Sequence, residues 1–579
     1  MPLSGIFFVS LCHQSNRMTM SKKTDPNPQL DIFTAPSMQL GSRASKKYSD
    51  PNAWHNQFYS LVTTKINEEI FKPLFPEGKK CGRPNASIRI LVAMSALKEG
   101  FGCSDEDLFE KCEFDLLTRK ALGMELLTDV TPSIDTYYLF RRRICEYQER
   151  TGIDLMQLCF EQLAGNQVRL LKISGKCVRM DSKLIGSNIA RQSRYELIHT
   201  TLVKFLKTCT LSDLSPEQEE RAKEYLKEDS SKTVYRSDSD TLQSNLARIG
   251  NFIMEMLATF PATSPAHDLL QRLFDEQYAV KDGKAVLRDK KEVKADSLQN
   301  PNDPDATYRA KNDQKVQGYV TNITETVEEG KPNIITSVQV ETAVFADCHF
   351  LQEAVENSER VTDSTIEDLY ADGAYQSPDN REFAKNHNAM QLKTGKMQGG
   401  CRWELIPHDE DGLTIREIAT GNTYEAVKAV TKQGSRKRWR IPWNNKTGWR
   451  YFEDKDIKAY QLRKQIESLP LEEQHKRNNV EAAMFQYCFH TRNGKTRYRG
   501  LLKHRMHAYS RCMWMNLRRM VIFQISTFQR SIFALFGPIR EAFGSFKAIS
   551  RKIFTSGADC YVSLRMTTLV RLDSKYAPF

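Results

Sequence analysis

The chain has 579 residues, 40% apolar and 27% charged, with a net charge of +12, which is too long for one compact core and excludes a disordered, fibrous or repeat protein. From Ala482 to Phe579 there are 17 Lys and Arg against Glu541, Asp559 and Asp573, a clustering that suits a polyanionic partner and also a merely solvated cationic face. The 13 cysteines stand singly, without a C-x-x-C pair, which argues against structural zinc and for reduced thiols in a cytoplasmic protein.

Gly5 to Cys12 is too short to span a bilayer and follows no basic residue, so neither export nor membrane insertion is expected. Met18 and Met20 ahead of the polar run Ser21 to Pro28 suggest that translation starts inside the given N-terminus. Residues 1–49 read as a flexible leader. Residues 50–165 read as a helical domain, with apolar residues at helical spacing through Phe58–Val62 and Ile88–Leu97. Cys81-Gly82-Arg83-Pro84 reads as a turn, and Ser104 as an N-cap before Asp105, Glu106 and Asp107. Arg141, Arg142 and Arg143 fall together on a helix.

From Val168 the pattern changes. Val178 to Asp181 reads as a short strand ending at the acid, with a polar turn after it. A charged, helix-compatible insertion (about 193–300) separates it from β-rich segments at Gly318–Thr326 and Ile334–Val344. Ile366 to Tyr370 reads as a strand leading into Asp372. A second, β-rich insertion (about 395–465) holds Trp403, Trp439, Trp443 and Trp449 with the basic cluster Lys432 to Arg440. Leu471 to Phe489 reads as a helix carrying Arg477 and Glu481 on one face. In the tail, 521–579, an amphipathic helical pattern is interrupted by Gly537-Pro538; core packing or a dimer contact suits it better than a membrane.

Cutting a phosphodiester calls for a site that stabilises both the attacking and the leaving oxygen, which two divalent ions on convergent carboxylates supply. Asp181 and Asp372 at strand ends and Glu481 on a helix have the right contexts for such carboxylates, although singly each is an ordinary turn or surface acid. Val178-Arg179-Met180-Asp181-Ser182, Asp303-Pro304-Asp305-Ala306-Thr307 with Gly318-Tyr319, Tyr370-Ala371-Asp372-Gly373-Ala374-Tyr375, Arg477-Asn478-Asn479-Val480-Glu481, Arg497-Tyr498-Arg499-Gly500 and Asn516-Leu517-Arg518-Arg519 occur in one order. Together they resemble DDE transposases of bacterial insertion sequences over roughly residues 45–520.

The resemblance implies an α/β fold: an RNase H-like mixed-sheet catalytic core over 166–520, interrupted by the helical and the β-rich insertions, behind a helical DNA-binding domain. It implies Asp181, Asp372 and Glu481 as catalytic and metal-holding residues for two Mg²⁺ ions, with Mn²⁺ as a substitute. The reaction implied is cleavage at transposon ends followed by strand transfer into target DNA. Double-stranded DNA is the implied partner, a homodimer the implied DNA-bound state, and the nucleoid the implied location. Arg477 would contact a phosphate or hold Glu481, unless it is only a surface ion pair. Seven residues after Glu481, where many relatives carry a basic residue, this chain has Cys488, so the resemblance moves that contact to Arg492 or Lys495. Further DNA contacts are expected from Arg497, Tyr498, Arg499 and Lys503. Arg436, Lys437, Arg438 and Arg440 are expected to do the same in the second insertion, where Trp439 either stacks on a frayed base or packs a small β core. His504 and His507, three apart, lack further ligands at metal spacing. A catalytically silent DNA-binding relative and a nuclease on the same fold remain open alternatives.

Overall fold

The computed structural model describes residues 36–75, 86–262, 264–311, 314–394, 401–408, 412–429, 438–443, 448–468, 470 and 480–553. The chain forms two compact units, Met1–Val521 and Ile522–Phe579; the described part of the second is helix.

The helical region comprises α1 (Trp54–Leu61), α2 (Ile88–Phe101), α3 (Asp105–Phe114), α4 (Leu116–Leu122), α5 (Ile134–Thr151) and α6 (Leu155–Leu171). Ser104 caps α3 as expected: its hydroxyl accepts from Asp107 N and the Asp107 carboxylate accepts from Ser104 N, both at 3.0 Å. Such a reciprocal cap stabilises a helix by about 1 kcal/mol. α2 is apolar almost all round because it is enclosed: Leu91 to Leu97 are buried against Phe58, Tyr137, Phe160 and the C-terminal residues Met513 and Trp514. The expected turn at Cys81-Gly82-Arg83-Pro84 lies outside the described residues.

β1 (Cys177–Gly186) does not stop at Asp181. Ser182 to Gly186 pair antiparallel with Asn322 to Gly318, so the polar run expected to turn is central strand. The first insertion follows, with helices α7 (Arg194–Leu206), α8 (Pro216–Lys227), α9 (Ser230–Arg236), α10 (Ser239–Thr259) and α11 (Pro265–Gln277) and a hairpin of β2 (Tyr278–Lys281) and β3 (Lys284–Leu287). It has a core of its own, around Ile198, Phe205, Ile249, Phe252, Ile253 and Leu270.

The chain then resumes the sheet with β4 (Thr307–Lys311), β5 (Gln314–Thr326), β6 (Ile335–Thr342), helix α12 (Leu351–Thr362), β7 (Asp368–Ala371), helix α13 (Pro378–Asn386) and β8 (Gln391–Thr394). β5 runs antiparallel to both of its neighbours, β6 and β1, while β1, β7 and β8 run parallel to one another. The order is therefore β6-β5-β1-β7-β8, with β4 pairing the first part of β5. One face, with Val178, Met180 and Val320, packs on Leu351, Ala354 and Val355 of α12. The other, with Ile185, Ile323 and Val338, joins the core of the helical region.

The second insertion is β9 (Trp403–Pro407), β10 (Leu413–Glu417), β11 (Thr423–Glu425), β12 (Val427–Ala429), β13 (Arg438–Trp443), β14 (Gly448–Glu453) and α14 (Asp454–Glu467), forming two three-stranded sheets. α15 (Val480–Cys488) and α16 (Leu501–Ile553) complete the described chain. α16 runs through Gly537-Pro538, where an interruption was expected. Proline removes one intrahelical donor and strains the preceding turn, and the helix carries that cost without a break. No described helix is long and apolar enough to cross a membrane, and the ten described cysteines are free.

Candidate active site

The register of β1 and β7 decides which acids meet. Cys177, Val178 and Arg179 pair with Asp368, Leu369 and Tyr370, so continuing the parallel register puts Asp181 beside Asp372. Adjacent strands lie about 4.8 Å apart and alternate residues share a face, which leaves the two carboxylates side by side on the face that also carries Arg179 and Tyr370. Both are half-buried. Each accepts a hydrogen bond from the next backbone N–H, Ser182 N to Asp181 at 2.8 Å and Gly373 N to Asp372 at 2.7 Å.

A buried polar row supports this corner. Ser182, Asn322 and Gln339 face one another across β1, β5 and β6. Tyr375 donates to Asn322 Oδ1 at 2.7 Å, Asn322 donates to Gln339 at 2.9 Å, and Gln339 donates to Glu353 of α12 at 2.9 Å. Burial, and then the adjacent Asp181, push the Tyr375 hydroxyl well above its usual range, so it stays a donor. The row anchors the turn after Asp372. Its signal in the sequence is a strand, Tyr319 to Thr326, that is wholly buried yet rich in Thr, Asn and Glu.

Below the acids on their own face, Arg179 donates to Glu325 Oε1 at 2.6 Å, and Arg519 of α16 meets Glu325 Oε2 at 2.6 Å. Glu325 is fully buried. Removing one member of such a triad strands a charge, at a cost of about 3–5 kcal/mol.

Glu481 lies on the first turn of α15 and is exposed. α15 packs on the Asp181 face of β1: Ala483, Met484 and Tyr487 are buried, and the Tyr487 hydroxyl is 3.4 Å from Thr321 Oγ1. Among the described residues, no three His, Cys, Asp or Glu side chains converge at metal-ligand distance; the strand register sets Asp181 next to Asp372, and Glu481 stands on the helix packed against β1. Arg477 lies outside the described residues.

The basic stretch after Glu481 is partly structural. Asn493 and Gly494, at φ 52° and 70°, make the tight hairpin between Arg492 and Lys495, two residues that pair with each other. The tip docks on the end of β1, with Gly186 N donating to Gly494 O at 2.8 Å and Thr496 N to Gly186 O at 3.0 Å. Lys495 donates to Ile189 O at 2.7 Å, Arg499 to Asn188 O at 2.7 Å, and Arg497 to Gly102 O. Tyr498 is buried and donates to Glu99, whose other oxygen meets His507 Nδ1 at 2.7 Å. Burial raises Glu99, but His507, Lys98 and Tyr498 outweigh it and hold the carboxyl at about 2. His504 is buried between Thr496 and Gly500. Arg492 and Lys503 are exposed.

The Asp303 and Asp305 motif gains a physical reason. Asp303 is buried and accepts from Ser187 and, at 2.6 Å, from Tyr319. Asp305 accepts from Leu501 N at 3.2 Å and so caps α16.

In the second insertion Trp439 is 3% exposed and packs with Trp403, Ile441 and Phe452, the core alternative of the two. The opposite face exposes Trp449 and Tyr451, with the Arg440 and Arg438 guanidinium groups 4.3 and 4.0 Å from their ring centroids. Arg436 and Lys437 lie outside the described residues. On α5, Arg141 is covered, lying over the rings of Tyr137 and Tyr498, so the three arginines do not form one surface.

No curated protein and no solved structure matches the chain. Residues 47–143 match the family model described as Transposase domain (DUF772), so the helical region, from α1 into α5, is where this chain is similar to transposases.

Proposed function

We propose that the protein is a DDE transposase that cuts DNA at the ends of an insertion sequence and joins the freed 3′ hydroxyls to target DNA. The observation that carries this reading is the Asp181 and Asp372 pair, aligned by the register of two parallel strands at the centre of a sheet ordered β6-β5-β1-β7-β8. That order, three antiparallel strands followed by two parallel ones, is what an RNase H-like core has, and the transposase domain match lies on the same chain.

The donor set fits magnesium: two half-buried carboxylates give hard oxygen ligands, and Glu481 on the helix packed over β1 is the third candidate. Bound divalent ions would activate the attacking oxygen and stabilise the leaving one. The chain's own part is to hold the acids. The backbone N–H groups after Asp181 and Asp372 fix the orientation of each carboxylate, and the Tyr375–Asn322–Gln339 row fixes the turn that carries Asp372. Arg492 and Lys503 are exposed after α15, which supports their use as contacts to backbone phosphates.

The test is cleavage of labelled duplex carrying the gene's own flanking ends, in Mg²⁺, Mn²⁺ or EDTA, for wild type and Glu481→Gln. Nicking that needs the metal and falls at least a hundredfold in the variant is expected, about 2.7 kcal/mol of barrier. Nicking without joined products would make the protein a nuclease, and end binding without nicking a silent relative.

A further inference from the structure

The face of β1 that carries Asp181 is covered at both ends and open in the middle. Arg179 is buried in its ion pairs with Glu325, and Ile185 is in the core. Between them Asp181 is half-buried and Lys183 is exposed. Lysine is disfavoured in a central strand, and here its cross-strand partner Thr321 is buried. Residues two apart share a face and lie about 7 Å apart along the strand, so the opening holds two carboxylates and, one pleat on, an ammonium.

We propose that Lys183 is a DNA-phosphate ligand of the active site, gripping the strand beside the phosphodiester held at Asp181 and Asp372. The inference rests on the transposase reading and adds a residue to it. Three observations support it. Lys183 has no carboxylate within ion-pair distance among the described residues, whereas the neighbouring cations Arg179, Lys393 and Arg519 each have one. Its charge is felt across the gap by the Cys488 thiol on α15, two helical turns after Glu481: burial raises that thiol, and Lys183 is the first charge pulling it down. The docked hairpin brings the exposed Arg492 to the same end of β1, so the cations continue past Lys183 along the path of a strand. A carboxylate pair repels a polyanion until metal arrives, and a fixed cation beside it offsets that repulsion.

The experiment is binding of the full-length protein to end-bearing duplex in EDTA over a range of salt, for wild type, Lys183→Gln and Lys183→Arg. Lys183→Gln is expected to lose about one unit of the slope of log K on log salt and to weaken binding several-fold at low salt, with Lys183→Arg restoring both. In Mg²⁺ the DNA concentration for half-maximal nicking should rise while the saturated rate changes little. A wild-type slope in Lys183→Gln overturns the inference, as does a variant that needs more metal but binds DNA normally, since Lys183 would then serve the carboxylates alone. Failure of the wild type itself to bind the ends would instead overturn the transposase reading.

Discussion

His504 shows how a single buried side chain ties stability to pH. Gly500 O accepts from Nδ1–H at 3.0 Å, which leaves Nε2 to accept from the Thr496 hydroxyl at 2.8 Å. Burial is the main cause that lowers its pKa from 6.5 to about 4, so the unfolded chain takes up a proton at a higher pH than the folded one. The stability this contributes is present above pH 6.5 and is lost as pH falls towards 4. Urea midpoints measured between those values should fall for wild type and fall less steeply for His504→Gln. Glu325 makes a sharper case: replacing it with Gln leaves Arg179 and Arg519 facing each other uncompensated and should cost about 3–5 kcal/mol. A drop under about 1 kcal/mol in urea unfolding would mean that the pairs are already solvated. At Gly318 a Cβ would run into the backbone of Ile185 and Ser187, which cannot yield as a side chain can. Gly318→Ala should therefore loosen the β1–β5 pairing, seen as faster amide exchange at Ile185 and Tyr319 than in the wild type.

Among the elements, the first insertion is the most separable. Its core is its own, and its two ends meet: Arg194 donates to Gln277 Oε1 at 2.7 Å, and Arg288 N to Gln277 O at 2.9 Å. Replacing residues 194–287 by a short Gly/Ser linker should leave a chain that still unfolds cooperatively; collapse to an insoluble product would mean that the sheet depends on it. This element was legible in the sequence from its charged, helix-compatible composition, and its helices begin on the reciprocal caps of Ser193 with Glu196 and Ser215 with Gln218. The length of β1 was not. Ser182 and Lys183 are polar for reasons outside the strand, the one facing Asn322 and the other the opening beside Asp181, so the alternation that marks a strand is broken there. Charge was the least legible signal. Arg497, Arg499 and Lys495 count as basic residues in the sequence, yet their heads satisfy backbone carbonyls of distant segments, and Tyr498 is the buried partner of Glu99. A count of charges cannot tell a carbonyl from a phosphate.

Across the molecule, C-terminal residues join the six-stranded sheet to the helical region. The hairpin after α15 docks on β1, Asp305 caps α16, and Trp514 and Met513 of α16 pack among the N-terminal helices. Residues hundreds of positions apart thus share one core, while Asp181 and Asp372 are aligned by the pairing of β1 with β7. That alignment is a product of strand register, a non-local pairing that no spacing in the sequence encodes. Whether Asp181 and Asp372 form one site acting on DNA is read by assaying Asp181→Asn and Asp372→Asn for both end binding and Mg²⁺-dependent strand transfer. Each variant should bind the ends within a few-fold of wild type and lose at least about a thousandfold in joined product, some 4 kcal/mol of barrier. Strand transfer at the wild-type rate in either variant would contradict a shared site.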